Sequence, residues 1–179
     1  MPRRRIAALL TSLALGTSVL VLQAAPTASA AGFVVSEAQF NQMFPNRNSF
    51  YTYSGLTAAL GAYPAFANTG SDTVKKQEAA AFLANVSHER GPIQLSWNFN
   101  YKAAGDALGL WYWNTQSGPG SMTPHNAMVN GAGFGQTIRS INGSLECDGK
   151  NPSQVQSRLS VYQRFAQVLG VSPGAGLYC

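Results

Sequence analysis

The sequence predicts a mainly α-helical fold. Apolar residues recur at three- and four-residue spacing in several segments, and capping or turn residues such as Ser36 and Gly170 stand at the segment ends. This spacing places apolar side chains on one face of a helix. Alternation of apolar and polar residues, the pattern of a half-buried strand, is scarce. The clearest helical stripe lies near the C-terminus and consists of Val155, Leu159, Tyr162, Phe165, Val168 and Leu169.

The first thirty residues have the pattern of a secretory signal peptide. Residues 3–5 are arginines, residues 6–22 form an apolar stretch, and residues 28–30 read Ala-Ser-Ala, a small-residue cleavage site. The alternative is a membrane anchor, which the early small residues and the Ala-x-Ala pattern disfavour. Cleavage after Ala30 leaves 149 of the 179 residues. Residues 31–179 are enough for one domain and too few for two.

The charge of the mature chain limits what it can bind. Three of the 12 basic residues lie in the signal, so residues 31–179 hold nine Lys and Arg against seven Asp and Glu, and the net charge falls from +5 to +2. No cluster of Lys and Arg remains, which argues against nucleic-acid binding. No later apolar run approaches the length of a membrane span. We therefore expect neither nucleic acid nor, after signal cleavage, a membrane as partner.

The chain has two cysteines, Cys147 and Cys179. Both follow the predicted signal, so they would reach an oxidising compartment in which a disulfide is stable. The alternative is two free thiols, which is less favourable because a secreted chain would expose the terminal one. We therefore expect a disulfide that closes the C-terminal region.

Three helices are predicted in the first half of the mature chain. Ser36 and Gln39 fit a capping box at the start of the first helix. The second helix covers residues 54–63 and is stopped by Pro64. The third begins near residue 71 or 72 and extends to His88, because this segment is rich in strong helix formers and carries an apolar stripe.

Four more helices are predicted in the second half, each marked by a start or stop residue. They are residues 98–108 closed by Gly109, residues 125–129 begun by Pro124, residues 134–141 ended by Asn142-Gly143, and a last helix begun by Asn151-Pro152 and ended by Gly170. Seven helices without strands make a mainly α domain.

Several kinds of catalytic site are excluded by motif. The two histidines, His88 and His125, do not form a His-Glu-x-x-His zinc motif. The chain also lacks the Gly-x-Ser-x-Gly motif of serine hydrolases, a phosphate-binding glycine loop and a dinucleotide fingerprint. The sequence therefore predicts no metal site and no cofactor.

Residues 87–101 carry the pattern that indicates function. Glu89 ends the third helix, and a run of hydroxyl and amide side chains interleaved with Trp97 and Phe99 follows it. A carboxyl group facing a cleft could donate a proton to a leaving oxygen. Alternating polar and aromatic side chains suit a groove that holds a sugar ring. The alternative interpretation is a solvated glutamate at a helix end, followed by core aromatics and helix-capping polar residues.

Several ordered motifs resemble one enzyme family. They are His88-Glu89, Gly-Pro-Ile-Gln-Leu-Ser at 91–96, Asn-Phe-Asn-Tyr at 98–101, Leu-Trp-Tyr-Trp-Asn at 110–114, Met-Thr-Pro-His-Asn at 122–126, and Thr-Ile-Arg-Ser-Ile-Asn-Gly at 137–143. The chain resembles the family 19 glycoside hydrolases, the chitinases of plants and actinobacteria, and within them the loop-poor bacterial type. The resemblance implies a lysozyme-like helical fold with a cleft for chitin or chitooligosaccharides. It also implies hydrolysis with inversion by two glutamates, one an acid and the other a base.

The resemblance implies roles for individual residues. Glu89 matches the general acid of the family, and Ser96 matches the serine that helps hold the attacking water. Gln94, Asn100 and Asn142 match positions that contact the sugar. At residue 99, plant relatives often have tyrosine, so a hydroxyl contact is expected to be lost.

Two further pairs match the family. Glu146 and Arg158 match an acid–arginine pair that reaches the catalytic acid, and such a cation orients carboxylates through bidentate hydrogen bonds. Cys147 and Cys179 match a family disulfide. We expect a secreted monomer, because no heptad repeat or exposed apolar run suggests an oligomer.

The chain departs from the family directly after Glu89. In relatives the His-Glu pair is followed by a segment that carries the second glutamate, whereas here Arg90 comes next. A shorter segment is missing near Gly109. Glu78 is the nearest acidic residue on the same helix face, but eleven residues of helix place it about 16 Å away. An inverting pair needs about 6.5–9.5 Å, so we expect the catalytic base to be absent.

Four hypotheses follow from this combination. The first is a chitinase with an acid but without its usual base, and therefore with weak or no activity. The second is a non-catalytic chitin-binding protein of the same fold. A lysozyme-type enzyme acting on peptidoglycan and a shortened version of a longer enzyme are the other two.

Overall fold

The computed structural model describes residues 32–47, 49, 51–89 and 102–179, with the backbone alone for residues 102–108. These ranges contain seven α-helices and no strand, so the predicted mainly α class is confirmed. The helices are α1 (Glu37–Met43), α2 (Tyr53–Leu60), α3 (Asp72–Glu89), α4 (Lys102–Thr115), α5 (Pro124–Val129), α6 (Phe134–Glu146) and α7 (Pro152–Val168). The predicted signal peptide, residues 1–30, lies outside these ranges.

The helix starts agree with the capping residues in the sequence. Ser36 Oγ accepts a hydrogen bond from the backbone N–H of Gln39 (3.2 Å), and Gln39 Oε1 accepts one from the backbone N–H of Ser36 (2.9 Å), which confirms the predicted capping box. Helix α5 begins with Pro124, as predicted. The preceding Thr123 caps it by accepting a hydrogen bond from the backbone N–H of Asn126 (3.2 Å).

The prediction for α4 was wrong at its C-terminal end. Gly109 was expected to end this helix, but the helix continues to Thr115. Leu110 and Trp113 are buried on its inner face, and Trp113 packs edge-on against Phe82 of α3 with ring centroids 5.5 Å apart. A Cβ at residue 109 would lie 3.6 Å from the Phe82 ring, so this position of α4 lies against α3. Tertiary packing therefore outweighs the low helix propensity of glycine.

Two other predicted ends differ from the structure. Helix α2 ends at Leu60 rather than at residue 63. Helix α6 was expected to end before Asn142, but it extends to Glu146 with a kink at Asn142, whose φ of −145° and ψ of 28° are not helical. The Asn-Gly pair thus marks a bend within the helix instead of its end.

The core lies around α3, which packs against α7. Residues 78–85 of α3 are all buried, and half of them are alanines, so neighbouring helices can pack around this segment closely. The facing helix α7 contributes Leu159, Tyr162 and Phe165 to the core. Among the helices described, none has the length and hydropathy that a membrane span requires.

The predicted disulfide between Cys147 and Cys179 is formed. It ties the C-terminal segment to the end of α6, and the backbone N–H of Asp148 also donates to Cys179 O (3.1 Å). Further along this segment, Gly135 N–H donates to Gly176 O (2.7 Å). A Cβ at Gly135 would lie only 2.0 Å from a backbone oxygen of the segment, so glycine is required for this close approach. The disulfide holds the residue directly after Glu146.

Glu78 is a fully buried carboxylate in the middle of α3. Its Oε2 accepts a hydrogen bond from the backbone N–H of Ala67 (3.0 Å), and its Oε1 accepts one from Trp113 Nε1 (3.0 Å). His125 Nδ1 lies 2.6 Å from the same Oε1. A buried charge is tolerated only when it is paired and hydrogen-bonded, and these three partners meet that need while joining α3, α4 and α5.

Replacing His125 by Asn should make the stability of the protein less dependent on pH. The hydrogen bond with Glu78 raises the pKa of His125 above its ordinary 6.5, outweighing burial, which lowers it. A group whose pKa is raised in the folded protein stabilises the fold fully at pH values below its unfolded-state pKa. This stabilisation is lost as the pH rises through its folded-state pKa. The difference in unfolding free energy between wild type and His125→Asn should therefore be largest below pH 6.5. Urea unfolding over about pH 5 to 8 measures it.

His88 provides the matched control. Burial lowers the pKa of His88, so its neutral form is the one that folding favours. The difference in unfolding free energy between wild type and His88→Asn should therefore become smaller as the pH falls, which is the opposite of the trend expected for His125→Asn. If the His125→Asn difference also shrank towards low pH, His125 would be neutral in the folded protein and the ion pair with Glu78 would not exist.

Candidate active site

Arg158 is the centre of a buried hydrogen-bond network that joins α3, α6 and α7. Its side chain is 1% exposed. Nε donates to Glu146 Oε2 (2.8 Å) and Nη2 donates to Glu146 Oε1 (2.8 Å), which makes a bidentate ion pair. Two parallel charge-assisted bonds fix the guanidinium plane relative to the carboxylate.

Glu89 is the exposed end of this network. It is the last residue of α3, and its side chain is 51% exposed, so its carboxyl group faces solvent. Its Oε1 accepts a hydrogen bond from Arg158 Nη2. One cation thus contacts a buried carboxylate and a solvent-facing one at the same time.

The local sequence explains how Glu89 reaches Arg158. Asn85 is four residues before Glu89 on α3, so both side chains lie on the same helix face. Asn85 is 2% exposed, and its Oδ1 accepts a hydrogen bond from Arg158 Nη1 (3.1 Å). Arg158 therefore bonds two residues one helical turn apart on α3.

Asn142 joins the network from the kink in α6. Its Nδ2 donates to Glu146 Oε1 (2.7 Å). The sequence predicted Asn142 as a sugar contact, and in the structure its amide group orients the carboxylate of Glu146. Asn142 and Glu146 are four residues apart near the C-terminal end of α6, the end that contacts Arg158.

The charges in the network stabilise one another. Burial by itself raises the pKa of Glu146, but hydrogen bonds from Arg158 and Asn142 and the charge of Arg158 outweigh it, so this pKa lies below its ordinary 4.5. Burial lowers the pKa of Arg158, yet its bonds to Glu146 and Glu89 raise it overall. Burial and the charge of Arg158 lower the pKa of the adjacent His88. At neutral pH Arg158 and Glu146 are therefore an ion pair, and His88 is neutral.

Glu89 and Glu146 are a poor match to an inverting acid and base. Glu89 and Glu146 both accept from the same nitrogen, Nη2 of Arg158, so the two bonded oxygens lie within two hydrogen-bond lengths, about 6 Å. An inverting pair is separated by about 6.5–9.5 Å. Glu146 is also held on both oxygens by Arg158 and is 5% exposed. It suits the orienting role predicted for it better than proton abstraction.

A cavity of about 550 Å³ opens beside α3 but holds none of these groups. Phe82, Leu83, Val86 and Ser87 line it on α3, and Asn85 lies on a different face of that helix. The network around Arg158 and this mainly apolar cavity are therefore separate features.

Sequence reasoning identified Glu89, Glu146, Arg158 and Asn142, which the structure brings together. Ser96, Gln94 and Asn100 fall in residues 90–101, outside the described residues. Asn85 was missed. Two signals could have found it: a polar residue within the run of buried alanines of α3, and a spacing of four residues from Glu89.

Comparison with known proteins identifies the family. The family model for class I chitinases, glycoside hydrolase family 19, matches residues 34–90 and 110–179. Chitinase 6 of Oryza sativa subsp. japonica is 37% identical over 186 residues, which cover 73% of this chain and 66% of the relative. This chain thus spans about two thirds of the length of that plant relative.

Solved structures are similar along most of the chain. Chitinase C from Streptomyces griseus HUT6037 is 57% identical with a TM-score of 0.73, and the alignment covers 83% of this chain and 99% of that one. A class IV chitinase from Zea mays is 30% identical with a TM-score of 0.67, covering 83% and 98%. The lysozyme-like helical fold implied by the motifs is therefore present. The family match and these similarities show that the chain belongs to the family 19 chitinases, which are glycoside hydrolases.

Proposed function

We propose that this protein is a secreted chitinase-type hydrolase that retains the catalytic acid but lacks the usual base. It would bind chitin and cleave its β-1,4 N-acetylglucosamine linkages slowly, with inversion. The observation that carries the proposal is the contact between Arg158 and Glu89, which holds a solvent-facing carboxyl group beside a buried ion pair.

Glu89 has the features of a general acid. Its carboxyl group is half-exposed, so a leaving oxygen can reach it, and Arg158 fixes its orientation. Glu146 and Asn142 support Arg158 from the side of α6. In this proposal Ser96 positions the attacking water. Gln94, Asn100 and Asn142 hold the sugar, as the family resemblance implies.

The alignments support a loss of chain after Glu89. The alignment with the rice chitinase is 186 residues long but takes up 73% of the 179 residues here, about 131, so about 55 positions of the relative have no counterpart. The family match stops at residue 90 and resumes at residue 110. The two ends of this unmatched stretch, residues 90 and 110, lie at the two points where the motifs indicated missing segments.

The remaining acidic residues are poor substitutes for the base. Asp72 lies seventeen residues before Glu89 on α3, which is about 25 Å along the helix axis. Glu78 is fully buried, and Asp148 is paired with Arg139 at 2.9 and 2.7 Å. Residues 90–101 contain no acidic residue. The chain has seven acidic residues in total, which are Glu37, Asp72, Glu78, Glu89, Asp106, Glu146 and Asp148.

Secretion and a monomeric state are also part of the proposal. The pattern of residues 1–30 and the disulfide between Cys147 and Cys179 support export to an oxidising compartment. The N-terminal sequence of protein recovered from the culture medium would test cleavage after Ala30, and its elution volume on gel filtration would test the monomer.

Hydrolysis of chitohexaose tests the proposed activity. We expect slow turnover whose first product has the α-anomeric configuration by proton NMR, and we expect Glu89→Gln to abolish it. Glu37→Gln in the first turn of α1 is the matched control and should retain the rate. If Asp106→Asn abolished the residual turnover, that residue would be the base and the proposed loss would be wrong.

A non-catalytic chitin-binding protein is the second candidate, favoured by the lack of an available second carboxylate. Retention of both wild type and Glu89→Gln on chitin beads, with no turnover of chitohexaose by either, would support it. Failure of both forms to bind would rule out chitin as the partner.

A further inference from the structure

Asn85 is the buried partner of Arg158 on α3, and Glu89 is its exposed partner on the same helix. Glu146 holds the Nε and Nη2 side of the guanidinium from α6, whereas Asn85 Oδ1 accepts from Nη1 (3.1 Å). The same helix α3 carries Glu89, four residues later. The position of Arg158 relative to Glu89 is therefore set by its bond to Asn85, on the α3 face that also carries Glu89, as well as by Glu146.

Thr137 determines which way the amide group of Asn85 points. The Thr137 hydroxyl donates its proton to Phe134 O (2.7 Å), so its oxygen is left to accept a bond from Asn85 Nδ2 (3.1 Å). The same Nδ2 also donates to Ala81 O (3.0 Å). Both amide hydrogens are thus used, and the amide oxygen is the atom that faces Arg158.

The opposite amide orientation would be strongly unfavourable. It would direct N–H groups of Asn85 at N–H groups of Arg158 and leave the Thr137 oxygen without its donor. Buried polar groups without partners cost free energy, and Asn85, Thr137 and Arg158 are each at most 2% exposed. The order of donors and acceptors from Phe134 to Arg158 is therefore fixed.

We propose that Asn85, oriented by Thr137, is a positioning residue that holds the Arg158 guanidinium in the rotation at which Nη2 meets Glu89. The inference rests on the proposed function, since this position matters for chemistry only if Glu89 is the general acid. Asn85 does not touch the substrate. It acts through Arg158.

NMR of the full chain tests the proposal without requiring turnover. The variants are Asn85→Leu, which has similar size without polar atoms, Thr137→Val, which replaces the hydroxyl by a methyl group, and Thr137→Ser, which keeps the hydroxyl. The first readout is the pair of Nη1 and Nη2 signals of Arg158 at low temperature. The second is the carboxyl ¹³C signal of Glu89.

In wild type and Thr137→Ser we expect separate Nη1 and Nη2 signals, because bonds to Asn85 and the carboxylates restrict rotation. In Asn85→Leu and Thr137→Val the exchange between the Nη1 and Nη2 signals should become faster than in wild type, because only the carboxylates still oppose rotation, and the Glu89 signal should move in the same direction in both. If Asn85→Leu does not fold, as judged by far-UV circular dichroism, Thr137→Val alone decides the question.

Folded Thr137→Val with wild-type signals for Arg158 and Glu89 would overturn the proposal and reduce Asn85 to a packing residue. Because neither readout depends on hydrolysis, an inactive wild type with the expected NMR changes would refute the proposed activity and leave the positioning role intact.

Discussion

Inserting the base-carrying segment of a relative, whose loss is proposed above, between Glu89 and Arg90 should raise the rate of chitohexaose hydrolysis by about two to four orders of magnitude. General acid–base catalysis by one positioned group contributes about that much. The donor would be chitinase C from Streptomyces griseus, whose alignment covers 99% of that chain, and the inserted segment would be whatever that alignment places between Glu89 and Arg90. In this chain Arg158 already holds Glu89, so the insertion needs to supply only the base and its supporting loop. Initial rates at saturating substrate measure the gain.

The same insertion with its glutamate changed to glutamine is the matched control. It restores the loop without the base, so any improvement in substrate positioning remains while the gain from proton abstraction is lost. Glu89→Gln in the active chimera should remove the gain again. If the unmodified chain hydrolyses chitohexaose as fast as the Streptomyces enzyme, another group already serves as base and the proposed loss has no consequence.

The sequence predicted the helices well because their signals are local. The Ser36 capping box, Pro124 at the start of α5 and the apolar stripe of α7 all depend on residues within a few positions of one another. The errors arose where distant residues decide the outcome. Gly109 stays inside α4 because Leu110, Trp113 and the Phe82 ring of α3 hold that segment against the core. No local pattern contains this contact.

The candidate site was predictable in part for the same reason. Glu89, Glu146 and Arg158 were found through motifs that resemble a family, whereas their geometry depends on three helices meeting. Asn85 and Thr137 are 52 residues apart, and their hydrogen bond exists only in the folded chain. A buried amide that selects the orientation of an arginine leaves no motif in the sequence.

Replacing Arg158 by Leu should lower the free energy of unfolding by about 3–5 kcal/mol at neutral pH. Breaking a buried ion pair by removing one partner leaves the other charge uncompensated, and this is the source of the cost. Glu146 would remain at 5% exposure with Asn142 as its described side-chain donor. Asn85 and Glu89 would also lose their bonds to the guanidinium. Urea unfolding followed by circular dichroism measures the change.

The double variant Arg158→Leu with Glu146→Gln separates the lost charge pair from lost packing, and it should be less destabilised than Arg158→Leu alone because no buried charge is left unpaired. Arg139→Leu, which breaks the exposed pair with Asp148, should change stability little.

The stability that Arg158 provides should also depend on pH, because the pKa of Glu146 is lower in the folded protein than its ordinary 4.5. Such a group stabilises the fold at pH values above its unfolded-state pKa, and this stabilisation is lost as the pH falls through its folded-state pKa. The difference in unfolding free energy between wild type and Arg158→Leu should therefore become smaller below pH 4.5. A difference independent of pH would mean that Arg158 stabilises the fold by packing and neutral hydrogen bonds, and that Glu146 is not its ionised partner.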